Sequence, residues 1–169
     1  MKWDYEFDVV VIGSGNGALT SALCSHDGGA KTLVIEKSNQ FGGTSATSGG
    51  GVWIPNNRYA RAENVDDSNK DARDYIDSVS PEGQIKDELV ETYLSEGPKM
   101  IDYLHENSQV KYRNLQHYPD YFPDNPGGKA GNRSMEPEPI NGTELGDDLS
   151  KLREQHPQTA FTMGPINMN

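Results

Sequence analysis

The run Asp8-Val9-Val10-Val11-Ile12-Gly13-Ser14-Gly15-Asn16-Gly17-Ala18 sets the architecture expected of the chain. A short β-branched run ending in glycine predicts a strand buried on both faces, the kind found in parallel sheets. Ala18, Leu19, Ala22 and Leu23 then recur at helical spacing until Gly28-Gly29 stops the helix. Thr32-Leu33-Val34-Ile35 reads as a second buried strand, closed by Glu36. Strand, glycine turn, helix and strand in that order make the opening βαβ unit of a doubly wound, Rossmann-like α/β fold.

Gly13, Gly15 and Ala18 match the dinucleotide fingerprint G-x-G-x-x-G/A. The first glycine permits a tight turn, the second lets backbone approach a pyrophosphate, and the small third residue lets helix and strand pack closely. The helix start adds N–H groups and a positive dipole end. Gly13, Ser14, Gly15, Asn16, Gly17 and Ala18 are therefore cofactor-binding candidates. Glu36 lies 23 residues beyond Gly13. A carboxylate there suits ribose hydroxyls and repels the extra phosphate of NADP. A bland glycine-rich turn explains many matches to this pattern, but here the flanking elements and the acidic residue occur in the expected order. The motif leaves NAD and FAD open.

Composition narrows the classes further. The 169 residues suit one domain. Lys+Arg 15 against Asp+Glu 26 gives a net charge of -11, which disfavours nucleic-acid binding. No apolar run approaches the roughly 20 residues of a membrane span, and the stretch from Met1 to Glu6 lacks a signal-peptide pattern. One cysteine, Cys24, allows neither an internal disulfide nor a cysteine-based zinc cluster, and a reducing, cytoplasmic compartment fits. Cys24 falls on the first helix and reads as a small packing residue. His26, His105, His117 and His156 have no metal-ligand spacing, so no metal is expected. The match of Asn132-Arg133-Ser134 to a glycosylation pattern reads as coincidence without secretion.

From Phe41 to Asn57 the chain is rich in Gly, Ser and Thr, but the embedded Val52-Trp53-Ile54 argues against a linker. Residues 61–107 read as acidic helices. Ser68 caps one that carries Ala72, Tyr75, Ile76 and Val79; Ser80-Pro81 starts another; Gly97-Pro98 restarts the chain into Met100, Ile101 and Leu104. Beyond Val110 no strand is expected to close a sheet. The organisation is thus 1–60, the cofactor-binding part, and 61–169, a helical and aromatic, proline-rich continuation. Only 33% of residues are hydrophobic and they cluster at the N-terminus, so exposed strand edges and uncovered apolar faces are expected, as in an incomplete fold.

Phe41-Gly42-Gly43-Thr44-Ser45-Ala46 and Ser48-Gly49-Gly50-Gly51-Val52-Trp53-Ile54-Pro55 resemble the FAD-binding domain of the fumarate reductase and succinate dehydrogenase flavoprotein superfamily. Within it the sequence is most similar to the 3-ketosteroid Δ1-dehydrogenases. Tyr118-Pro119-Asp120-Tyr121-Phe122, the segment Pro126 to Pro137, and Leu145-Gly146-Asp147 resemble further segments of that family. Phe122 stands where many relatives carry tyrosine, and Lys129 where arginine is common.

The resemblance implies FAD rather than NAD. It implies that Thr44, Ser45 and Ser48 donate to pyrophosphate or flavin oxygens, and that Gly42, Gly43, Gly49 and Gly50 allow backbone approach; a helix cap and turn would choose the same residues. Lys37 is placed to reach an adenosine phosphate, although a solvated lysine is the commoner outcome. The implied reaction removes a proton from C2 and a hydride from C1 of a 3-ketosteroid, the hydride passing to the flavin and then to an electron acceptor that the sequence does not identify. Tyr121 matches the tyrosine that supports the base by hydrogen bonding, the base itself lying beyond Asn169. A core aromatic is the alternative reading of Tyr121. Two other functions stay open: a fumarate-reductase-like enzyme acting on another unsaturated substrate, and a truncated, non-catalytic nucleotide-binding chain. The aromatic segment around Tyr121 favours a flat apolar substrate over a carboxylate.

Overall fold

In the computed structural model, which describes residues 3–155, packing separates two units. The first holds the described residues up to Gly49 together with those from Asn141 onward; the second is Gly50–Ile140.

The first unit begins as expected. Strand β1 (Val9–Ile12), helix α1 (Asn16–Asp27) and strand β2 (Thr32–Ile35) form a right-ordered strand–helix–strand unit, and the strands pair in parallel from Val9↔Thr32 to Ile12↔Ile35. The Gly13 N–H extends the ladder to the Ile35 carbonyl at 2.7 Å. After Asn141 a 3-10 segment, Gly142–Lys151, leads back so that Phe41 and Leu152 bridge. The strands are not buried on both faces. Val10 is 52% and Ile12 82% exposed, and α1 buries no residue. One helix covers one face of a two-stranded sheet, and no described layer of this unit lies on the other. The same thin packing leaves Cys24 exposed rather than packed.

The second unit contains the sheet that the sequence hid. Strands β3 (Val52–Trp53), β4 (Tyr112–Asn114) and β5 (Ser134–Pro137) pair antiparallel in the order β3-β5-β4. β5 reads Ser-Met-Glu-Pro, with no apolar alternation to announce it, yet Ser134, Met135 and Glu136 are all buried. Helix α2 (Arg58–Ala62) starts on Asn57, whose side chain accepts from the N–H groups of Tyr59 and Ala60. Helix α3 (Asn69–Val79) starts on Ser68, as expected, with a 3.1 Å bond from the Asp71 N–H. Two helix boundaries differ from expectation. Ser80-Pro81 ends α3 and enters a turn, because the next helix, α4 (Asp87–Asn107), starts only after Lys86. Gly97-Pro98 does not interrupt α4. A proline inside a helix costs about 3 kcal/mol, and close packing offsets it: both residues are buried, and a Cβ on Gly97 would sit 3.3 Å from Ile54 Cδ1. Ile54, Ile101 and Met135 form one core cluster, and Ala72, Val90 and Leu94 another.

Candidate functional site

The dinucleotide candidates converge at the start of α1. Gly13 holds φ 98°, which an L side chain resists, and a Cβ at Gly13 or Gly17 would project into open space. Helix α1 starts on Gly15, which has no side chain to cap it. The loop after β2 folds over this turn, and a Cβ on Gly43 would meet Gly15 Cα at 3.4 Å. Open space in front of glycine backbone, an N-terminal helix end and a nearby carboxylate together fit an adenine dinucleotide.

Three serine and glycine candidates have a different first duty from the expected one. Ser14 is buried; its hydroxyl donates to Glu36 Oε2 at 2.5 Å and accepts from the Gly42 N–H at 2.9 Å. The Ser14 hydroxyl, followed by the Ser38 N–H, holds the Glu36 carboxyl below its ordinary range. Ser45 Oγ accepts the Asn16 N–H at 3.0 Å, bracing the first turn of α1. Gly50 lies in the second unit, where a Cβ would come within 2.8 Å of Pro137 Cγ; its bareness serves sheet packing. Thr44, Ser48 and Lys37 are exposed, and Ala18 and Gly49 are half-buried.

The second unit carries an apolar groove of about 510 Å³. Trp53, Tyr75, Ile76 and Val79 form one side, and Tyr118 to Phe122 another. The Trp53 ring lies parallel to Tyr93 at 6.3 Å and tilted against Tyr75 at 6.0 Å. Tyr121 is 84% exposed, so it is not a core aromatic. Its hydroxyl and charge raise the Tyr118 phenol above its ordinary value. Among the described residues no lysine or arginine lines the groove.

Beneath the groove lies a charge cluster that residue types alone did not reveal. Arg133 is 1% exposed. It donates to Asp120 at 2.8 Å and to Asp67 at 2.7 Å, and both carboxylates are buried. Its guanidinium also stands 5.6 Å from the Trp53 ring and 5.8 Å from the Tyr75 ring. Asp120 further accepts Trp53 Nε1 at 2.7 Å and the Lys129 N–H at 3.0 Å. A buried arginine needs such partners, because an unpaired buried charge is strongly unfavourable. Its sequence signals were its place in the segment Pro126 to Pro137 that resembles the family and a match to a glycosylation pattern; neither showed that it is buried. Among the histidines, His105 shares a 2.9 Å hydrogen bond with the Tyr59 hydroxyl, and burial first of all lowers its pKa. His26 is an exposed residue in the last turn of α1, and His117 is exposed; His156 falls outside the described residues.

Comparison with known proteins adds an independent line. A family model described as an FAD binding domain matches residues 8–167. The chain is 39% identical over 163 residues to a 3-oxosteroid 1-dehydrogenase of Mycobacterium tuberculosis, covering 96% of this chain and 28% of that protein. It is 38% identical over 157 residues to a 4-oxocyclohexanecarboxylate 2-dehydrogenase of Sinomonas cyclohexanicum, covering 93% and 27%. A crystal structure of 3-ketosteroid delta1-dehydrogenase from Sterolibacterium denitrificans, in complex with 1,4-androstadiene-3,17-dione, superposes with a TM-score of 0.83 at 40% identity, covering 89% of this chain and 26% of that one. The chain thus spans little more than a quarter of the length of these relatives. No helix among the described residues is long and apolar enough to cross a membrane.

Proposed function

The chain belongs to the FAD binding domain family, and from that membership we propose that it supplies the dinucleotide cradle and part of the substrate groove of a dehydrogenase acting on 3-ketosteroids at C1–C2. Its cofactor is FAD. Gly13 to Ala18 and the loop from Gly42 to Ser48 hold the pyrophosphate through backbone, and Glu36 takes the ribose hydroxyls. Thr44 and Ser48 donate to cofactor oxygens, while Lys37 sits at the rim. When bound, FAD supplies the acceptor for two electrons. An electron acceptor in the cytoplasm completes the reading.

The groove's part follows from its chemistry. A 3-keto group acidifies the hydrogens on C2, so the step needs a base and a held carbonyl. A free tyrosine has a pKa of about 10 and needs support to act as a base near neutrality. Tyr121 gives that support by hydrogen bonding to the base. Trp53 and Tyr75 offer ring faces to a flat apolar body and keep water from it.

The observation that carries the reading is a groove lined mainly by aromatic and apolar side chains, with an exposed tyrosine on its wall and one carboxylate, Asp120, neutralised by Arg133. The Sinomonas relative makes a smaller ring ketone bearing a carboxylate the second reading. The aromatic segment Tyr118 to Phe122 on the groove wall speaks for the flat, neutral steroid.

The test is a titration of this chain with FAD, with NAD as competitor, followed by turnover of a 3-ketosteroid and of 4-oxocyclohexanecarboxylate by the full-length protein that carries this sequence. FAD binding that NAD does not displace and formation of the C1–C2 double bond are expected. Substituting Tyr121→Phe should lower kcat by roughly a hundredfold with FAD affinity unchanged. Turnover of the carboxylate alone would install the second reading.

A further inference from the structure

We propose that Arg133 is the positioning residue that fixes Tyr121 in the groove, acting through Asp120 and braced from behind by Asp67. The assignment rests on the steroid-dehydrogenase reading above.

Tyr121 is 84% exposed, and a side chain so exposed has little packing of its own to fix it. Its two neighbours in sequence are both pinned. Asp120 is held by Arg133 at 2.8 Å and by the Lys129 N–H at 3.0 Å, while the Asp120 N–H donates to the Lys129 carbonyl at 2.9 Å. The Phe122 N–H donates to the Tyr75 hydroxyl at 3.3 Å. Arg133 joins the two anchors: it grips Asp120 directly and stands 5.8 Å from the Tyr75 ring. Asp67, which accepts from Arg133 Nε and Nη2 at 3.2 and 2.7 Å, also accepts the N–H groups of Asn56 and Ser68. The arginine is thereby tied to the start of α3 and cannot swing with the loop. A guanidinium is suited to this, since its planar fork meets two carboxylates with fixed directions. A device of this kind matters for a catalytic hydroxyl, because a displacement of about 1 Å can cost on the order of a hundredfold in rate.

The experiment uses the FAD-loaded full-length protein that carries this sequence and steady-state oxidation of a 3-ketosteroid. Variants are Arg133→Lys, Asp67→Asn, Tyr121→Phe and the two double variants that combine Tyr121→Phe with each of the others. FAD content and Tm are measured in all of them. Arg133→Lys and Asp67→Asn should each lower kcat about tenfold or more, with KM changing less and FAD content held. In the Tyr121→Phe background the same changes should lose most of their effect on kcat, since their route of action is gone. Effects that multiply independently of Tyr121 would overturn the assignment and leave Arg133 a fold-stabilising residue. Asp67→Asn keeps shape and leaves Arg133 paired with Asp120, so it decides the matter if Arg133→Lys does not fold. A wild-type protein that loads FAD and leaves the steroid unchanged overturns the steroid reading, and the assignment with it.

Discussion

Ser14 and Arg133 are buried polar residues, one in each unit, and each ties together segments of a candidate site. Ser14 links the glycine turn, Glu36 and the Gly42 backbone with a single neutral hydroxyl. Arg133 links Asp67, Asp120 and two aromatic rings with a full charge. In the first unit the candidate site is thus mostly backbone, and side chains brace that backbone. The second presents side chains, and a buried ionic node braces them. A neutral brace is inexpensive to remove and a charged one is not.

That contrast is sharpest in stability. Arg133→Met leaves two buried carboxylates facing each other without a cation, and breaking a buried ion pair costs about 3–5 kcal/mol. Urea unfolding should show a loss of that size; a loss under 1 kcal/mol would mean that the node is wet and the contrast false. Next comes Gly42→Ala. The new Cβ would stand 2.7 Å from the Ala46 Cβ on a backbone at φ 105°. Strain and overpacking of about 1–3 kcal/mol should follow, seen as a lowered Tm and weaker FAD retention.

Ser14→Ala probes the neutral brace itself. FAD affinity should fall by about tenfold, the scale of one lost hydrogen bond. Its pH dependence carries more information. Glu36 has a depressed pKa when folded, chiefly through Ser14, so its charged form persists below the ordinary carboxylate value of 4.5. Affinity that needs the ionised carboxylate is present above that range and is lost as pH falls through the depressed pKa. Without Ser14 the carboxyl titrates at higher pH, so the acid limb of FAD binding should move upward, and Ser14→Thr should restore it. An unmoved limb would show that Glu36 does not report on binding. The smallest effect belongs to Ile12→Thr. Ile12 is 82% exposed, and an ordinary surface change stays within about 0.5 kcal/mol. A larger loss in equilibrium unfolding would show that this strand face is covered in the working protein.

The legible and illegible parts divide along the same line. Gly13, Gly15, Ala18 and Glu36 announced themselves because a tight turn and close backbone approach restrict residue type at fixed spacing. The order β1, α1, β2 followed from local periodicity, and so did the cap at Ser68. Strand β5 stayed hidden because Glu136 is buried there with Arg113, 23 residues away in sequence, donating to it at 2.6 Å. The run of α4 through Pro98 depends on Gly97 meeting Ile54, again a distant partner.

By itself the sequence determined the βαβ start with its glycine turn and, through the resemblance of the Trp53 and Tyr121 segments, the flavin family. These are written in short-range spacing, where φ restrictions and strand and helix periods act within one turn or one strand. Tertiary structure alone decided that Ser14 braces Glu36 rather than meeting solvent, that Tyr121 stands on a groove wall, and that Arg133 is caged between Asp67 and Asp120. Whether a charge is exposed or buried depends on what packs over it, and the residues that pack against Arg133 include Asp67, 66 positions away along the chain, and the still more distant Trp53.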